Sequence, residues 1–157
     1  MQQNLNLLQE QPFFSTFPTQ AMKLLAYLAE RAQIAKDEII LEEGDDYGRA
    51  YLVLSGQLAL LRGSDDTATV IRHYEEGALL GSFSLLGDMP SLFQLRATTS
   101  TLVLTITREH FAKIVEQFPQ ISALALKALL KELYQWERKN LNKAGTCCFH
   151  RTGATVL

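Results

Sequence analysis

Gly81-Ser82-Phe83-Ser84-Leu85, followed after a short interval by Ser91-Leu92, is the part of this chain whose residue types best suit ligand chemistry. A glycine lets backbone approach a bound group closely. Ser82 has the chemistry of an N-cap for a one-turn helix over Ser82–Leu86. The amides of Phe83 and Ser84, with the hydroxyls of Ser82, Ser84 and Ser91, offer donors to an anion. These residues read as a loop able to cradle a phosphate with backbone and hydroxyl donors, and they carry no charged side chain of their own. No other constellation competes with it. There is no Ser/His/Asp arrangement, no G-x-x-x-x-G-K loop and no paired carboxylate motif, so no catalytic residue is assigned. His73, His110 and His150 are scattered and lack metal-ligand spacing, so no metal site is assigned. Glu42-Glu43, Asp45-Asp46 and Glu75-Glu76 fall at turns and are expected to be solvated.

The elements that must position this loop follow from periodicity. Residues 1–16 are rich in Gln and Asn around a Phe13-Phe14 pair and are expected to drape over the rest as an N-terminal extension. Met22, Leu24, Leu25 and Leu28 have helical spacing, with Pro18 suited to the first turn. From Arg31 to Thr107 the period changes to short β-type runs at 31–35, 39–42, 50–54, 57–62, 69–74, 92–97 and 101–107. Gly- and Asp-bearing turns separate them, among them a hairpin tip at Gly63-Ser-Asp-Asp66. Such spacing implies a closed or nearly closed β unit. A short helix over 108–116 follows. Pro119 breaks it, and a helix over Gln120–Lys143 then runs free of Gly and Pro, with Gly145 at its C′ position. On that long helix Leu126, Leu129, Leu133 and Trp136 form a stripe close to a heptad seam. Ile121, Leu124, Ala125 and Ala128 form a second apolar face. The stripe fits either a cover for the chain's own core or the seam of a homodimer. Residues 144–157 have no period and read as a flexible tail.

Composition bounds the function classes. The 157 residues include 47% apolar and 20% charged residues and carry a formal charge of −2, as in an ordinary globular domain. This balance gives no basic footprint for nucleic acid. No run of 18 apolar residues suits a membrane span, and no basic-then-apolar leader opens the sequence. The two cysteines, Cys147 and Cys148, are adjacent and make no disulfide framework. A reducing cytoplasm is the expected location.

The order and spacing of several pieces resemble those of the cyclic nucleotide-binding domains of bacterial catabolite activators, protein kinase A regulatory subunits and nucleotide-gated channels. These pieces are Glu43-Gly44-Asp45, Tyr51-Leu-Val-Leu-Ser-Gly56, Gly77, Gly81 with Leu85, Arg96-Ala97 leading into Val103–Ile106, Phe111 and Pro119. The resemblance runs from about Phe14 to Leu141. It implies a mainly β fold with flanking helices: a β-roll, or jelly-roll-like barrel, at about 31–107 with a short internal helix, and C-terminal helices over 108–143. The domain then covers 17–143.

In that family the phosphate cassette reads Gly-Glu-Leu-Ala-Leu and, further on, Pro-Arg-Ala-Ala-Thr. The Arg clamps the cyclic phosphate and the Glu accepts from the ribose hydroxyl. Here the Glu position holds Ser82 and the Arg position holds Ser91. A missing buried charge partner costs about 3–5 kcal/mol, so loss of the Arg alone weakens a cyclic monophosphate by roughly two to three powers of ten. If 92–97 is a regular strand, Arg96 points away from the side shared by Ser91 and Phe93. Arg96, and Arg72 likewise, are expected to be solvated. Trp136 lies near where some family members cover the purine, and it has the chemistry to stack on a base.

Two functions follow as expectations. One is a cyclic nucleotide-binding-like regulatory or sensory module with cyclic AMP and cyclic GMP affinity weakened or lost, signalling through the Gln120–Lys143 helix. The cavity of such a module takes some other small-molecule ligand. The alternative is a scaffold with a pocket plugged by Phe83 or Phe93, which dimerises through that helix. The winged DNA-binding unit of the family's transcription factors does not follow the long helix in this sequence, so direct nucleic-acid binding is not expected. An enzyme is not expected either.

Overall fold

Two strands explain the layering. β3 (Arg49–Ser55) and β8 (Thr101–Thr107) are apolar on both faces because their sheet is covered on both faces. Successive side chains on a strand point opposite ways. Tyr51, Val53 and Val103 therefore turn into the roll, while Ala50, Leu52, Leu104 and Ile106 turn out against helices. The computed structural model describes residues 2–63 and 68–141.

β3 and β8 pair centrally in a four-stranded antiparallel sheet. β1 (Glu30–Ile34) flanks β8, and the two-residue β6 (Leu79–Leu80) flanks β3. β6 is too short for sequence periodicity to reveal. The second sheet contains β2 (Ile39–Leu41), β4 (Leu58–Arg62), β5 (Thr69–Tyr74) and β7 (Gln94–Ala97), in the order β2-β7-β4-β5. All its pairs are antiparallel too. The two sheets enclose a core of Ile34, Leu58, Leu95, Ala97 and their neighbours. This is the mainly β, roll-like fold with flanking helices that the sequence implied. Gly56 turns β3 into β4 at φ +89, where a Cβ would stand 2.6 Å from the Ser100 carbonyl oxygen, so only glycine fits.

The helices cover the outer face of the first sheet. α1 (Gln2–Gln9) buries Leu5 and Leu8. A 3-10 helix at Pro12–Phe14 buries both phenylalanines. Residues 2–14 thus lie over the domain as regular helical turns, and Arg31 donates to Gln3 and Asn4 to hold them. α2 (Thr19–Leu28) begins one residue after Pro18, which stands at the cap with its carbonyl accepting from the Met22 amide. α3 (Arg108–Gln117) is capped by the Thr107 hydroxyl, which accepts from the His110 amide. Phe13, Phe14, Phe17 and Phe111 meet in edge-to-face and tilted pairs at 4.9–6.3 Å between centroids.

α4 (Gln120–Leu141) buries only Ile121 and Ala125. Its first half rests on the 3-10 turn at 12–14 and on α3. Nearly every residue from Leu130 to Leu141 is exposed. The tip at 64–66, Lys143, Gly145, Cys147-Cys148 and His150 lie outside the described residues.

Candidate ligand site

The glycine-serine segment is built on β3. Gly81 adopts the left-handed conformation at φ +73, ψ 17 and caps a 3-10 helix over Ser82–Leu85. A Cβ there would fall 2.7 Å from the Arg49 carbonyl oxygen and 3.0 Å from Tyr47 Cδ1. Glycine is needed because the chain packs on β3, whatever the cavity holds. The capping role read for Ser82 falls to Gly81: Ser82 is the first helical residue, and no side-chain cap hydrogen bond is made. At about three residues per turn, neighbouring side chains diverge. Ser82 and Phe83 face a cavity, whereas Ser84 and Leu85 are buried away from its lining, Leu85 in the helix-side core. Ser84 is 0% exposed and its hydroxyl has no partner among the described residues.

Ser91, 3% exposed, is locked in place by backbone. Its carbonyl accepts from the Gly44 amide and its amide donates to the Asp45 carbonyl, both at 2.7 Å. The Glu43-Gly44-Asp45 turn and the downstream half of the cassette are therefore one stitched unit. The Ser91 hydroxyl donates to the Phe93 carbonyl and accepts from the Phe93 amide, closing its own turn. Strand parity holds for β7: Leu95 and Ala97 are in the roll's interior, and Arg96 does not line the cavity.

The cavity measures about 410 Å³ and opens between β6, the cassette and α4. Gly81, Ser82, Phe83, Ser91 and Leu92 all line it, with Leu92 73% exposed at the mouth. Phe83 and Phe93 form walls beside this open space, so neither fills it. Among the lining residues that sequence reasoning missed are Tyr47, Tyr74 and Glu132. Glu132 was signalled only by its helical position, three residues after Leu129 and seven after Ala125 on the side of α4 that turns toward the domain. Among the described residues it is the only charged side chain lining the cavity. It is exposed at the rim, yet the surrounding protein raises its pKa by desolvation. Burial likewise raises Tyr47. The Arg72 guanidinium stands 5.0 Å from the Tyr74 ring centroid, outside the lining. Trp136 is 62% exposed and lies one turn beyond Glu132, outside the lining as well.

A second cleft, of about 550 Å³, opens on the opposite seam among Glu38, Asp45, Asp46 and Arg49. Tyr47 lines both spaces, its ring 5.4 Å from that of Phe83. The smaller cavity is the candidate site, because the cassette residues converge there.

An ion cluster anchors the cassette from behind. Arg108 Nε donates to the Ser84 carbonyl at 2.6 Å, its two Nη groups grip Asp46 at 2.7 Å, and one of them also reaches Asp88. Asp46 also accepts from the Met89 and Gly48 amides. The Arg108 hydrogen bond holds its carboxyl down at about 2, against partial desolvation. Asp46 is thus an anchor, not the merely solvated turn residue expected. On α4, Leu126, Leu133 and Trp136 are exposed, whereas Leu129 is half-buried against the helix-side core. The exposed stripe runs through Leu126, Leu130 and Leu133.

The family description "cyclic nucleotide-binding domain" matches residues 31–118, more than half of the chain. The chain belongs to the cyclic nucleotide-binding domain family. A cAMP-dependent protein kinase regulatory subunit from Hypocrea atroviridis is 26% identical over 110 residues, which cover 70% of this chain and 23% of that protein. The chain thus spans about a quarter of that relative's length. A cyclic nucleotide-binding-like protein from Brucella abortus superposes with a TM-score of 0.66 at 28% identity, covering 73% of this chain and 98% of that one. A cyclic nucleotide-binding domain from Methylobacillus flagellatus superposes with a TM-score of 0.71, covering 99% of this chain and 86% of that one, and at 18% identity shows the fold alone. The cassette with its serines therefore sits in a family fold. No described helix is long and apolar enough to cross a membrane.

Proposed function

We propose that this chain is a regulatory or sensory module that keeps the cyclic nucleotide-binding architecture and has weakened or lost affinity for cyclic AMP and cyclic GMP. It is not an enzyme, it acts in the cytoplasm, and it engages no nucleic acid directly. The observation that carries this reading is the lining of the cavity. Its cassette positions hold Ser82 and Ser91, and among the described residues its one charged group is the carboxylate of Glu132. A cyclic phosphate entering there meets no guanidinium in the described wall and a like charge at the rim, and each lost charge-assisted contact removes about 1.5–3 kcal/mol. Ligand occupancy is read out by α4, which carries Glu132 in the cavity lining and the exposed stripe beside it.

Calorimetry with cyclic AMP tests this. The wild type is expected to bind no tighter than about millimolar, and Ser82→Glu with Ser91→Arg to gain at least about tenfold. Micromolar binding by the wild type sinks the reading.

A second reading rests on a separate observation, the exposure of Leu126, Leu130 and Leu133 at heptad-like spacing. In it the chain is a homodimer or scaffold joined through α4.

A further inference from the structure

We propose that this cavity binds a small organic cation with an apolar or aromatic body, its ammonium set against Glu132 and its body against Phe83, Phe93 and Tyr74. The inference rests on the regulatory reading above and names the ligand chemistry that it leaves open.

Three observations point the same way. First, the walls are aromatic and aliphatic: Tyr47, Tyr74, Phe83 and Phe93 come from four separate segments and surround the same space of about 410 Å³, a volume suited to a small molecule. Aromatic faces attract cations through the ring quadrupole, and several rings around one carboxylate make the chemistry of an ammonium-binding cage. Second, the only charge in the described lining is negative and comes from Glu132 on α4. Desolvation raises the Glu132 pKa, so its ionised form is under-compensated in this structure. A bound cation supplies the missing partner, whereas an anion adds a repulsion. Third, the hydroxyl of Ser91, at the position where the family's phosphate clamp stands, is already spent on Phe93.

Arg72 is the competing charge. Its guanidinium is stacked at 5.0 Å from the Tyr74 ring and outside the lining, so an anionic ligand would have to draw it inward.

The test uses matched probes that share one aromatic body: 2-phenylethylamine, 2-phenylethanol and 3-phenylpropionate, with cyclic AMP alongside. Binding is followed by calorimetry and by the fluorescence of Trp136, the only tryptophan, one helical turn from Glu132. The amine is expected to bind at least about fivefold tighter than the alcohol, and the carboxylate weakest. Glu132→Gln is expected to bring the amine to the level of the alcohol while the alcohol is unchanged. The proposal is overturned if the carboxylate or the alcohol matches the amine, if Glu132→Gln leaves the amine's affinity intact, or if the amine does not bind at millimolar concentration. Failure of the regulatory reading is separate: it shows as micromolar cyclic AMP binding by the wild type, whatever the amine does.

Discussion

At Asp46 a single carboxylate accepts from Arg108, from the Met89 amide and from the Gly48 amide, and so joins the loop before β3 to the cassette and to the start of α3. Its pKa of about 2 in the folded protein lies below the ordinary carboxylate value of about 3.9 expected in the unfolded chain. A depressed pKa means that the stabilisation is present in full above about pH 4 and is lost as the pH falls through about 2. Urea unfolding of wild type and Asp46→Asn from pH 7 down to pH 2 is therefore expected to show a stability gap at neutral pH that closes toward pH 2. A gap that does not change with pH would rule out the charged anchor. None of this was legible in the sequence, where Asp46 is one of four acidic residues near one turn and Arg108 lies 62 residues further on. That Ser82 and Ser91 meet at one cavity was legible from the spacing of the segment, since both line it. The side of β7 on which Arg96 lies was legible as well, since parity along a regular strand is a local property. Its solvation was misread: Arg96 is half-buried, and its Nε is buried without a partner among the described residues.

At the scale of elements, the helices from Thr19 onward and most strands were found within a residue or two, because an apolar period of 2 or 3.6 is written along the chain itself. The helix over Gln2–Gln9 and the 3-10 turn at Pro12–Phe14 were read only as a draping extension. β6 escaped, being a pair of leucines held only by Tyr51 and Leu52 across the sheet. α4 was read correctly as two-sided, but its stripe divides differently. Leu129 turns to the domain, whereas Leu126, Leu130 and Leu133 stay exposed. If that stripe pairs two copies, Leu133→Glu places a charge in an apolar seam and is expected to convert dimer to monomer in sedimentation velocity at micromolar concentration. Equal masses for wild type and variant would remove α4 as the dimer seam.

For the whole molecule, the decisive feature is that one sheet belongs to two cores. The inner face of β3 and β8 closes the roll, and their outer face carries the helical layer through Ala50, Leu52, Leu104 and Ile106. Phe111, fully buried in that layer, is tied to the N-terminal segment through Phe17 at 6.3 Å. Phe111→Ala is expected to cost about 3–5 kcal/mol. Because the cores share strands, circular dichroism and Trp136 fluorescence are expected to report one coincident, lowered transition. Two separated transitions would show that the helical layer and the roll unfold independently.

What the amino-acid order determined by itself was the succession of elements, the turn glycines and the uncharged cassette, all of which depend on residues near one another in the chain. What only the tertiary structure decided was the character of the cavity: Tyr47, Tyr74, Phe83, Phe93 and Glu132 converge on it from separate segments. The physical reason is that side chains brought together by sheet pairing and helix packing carry no mark of that meeting in their local period, so an acidic aromatic pocket reads in sequence as scattered, unrelated residues.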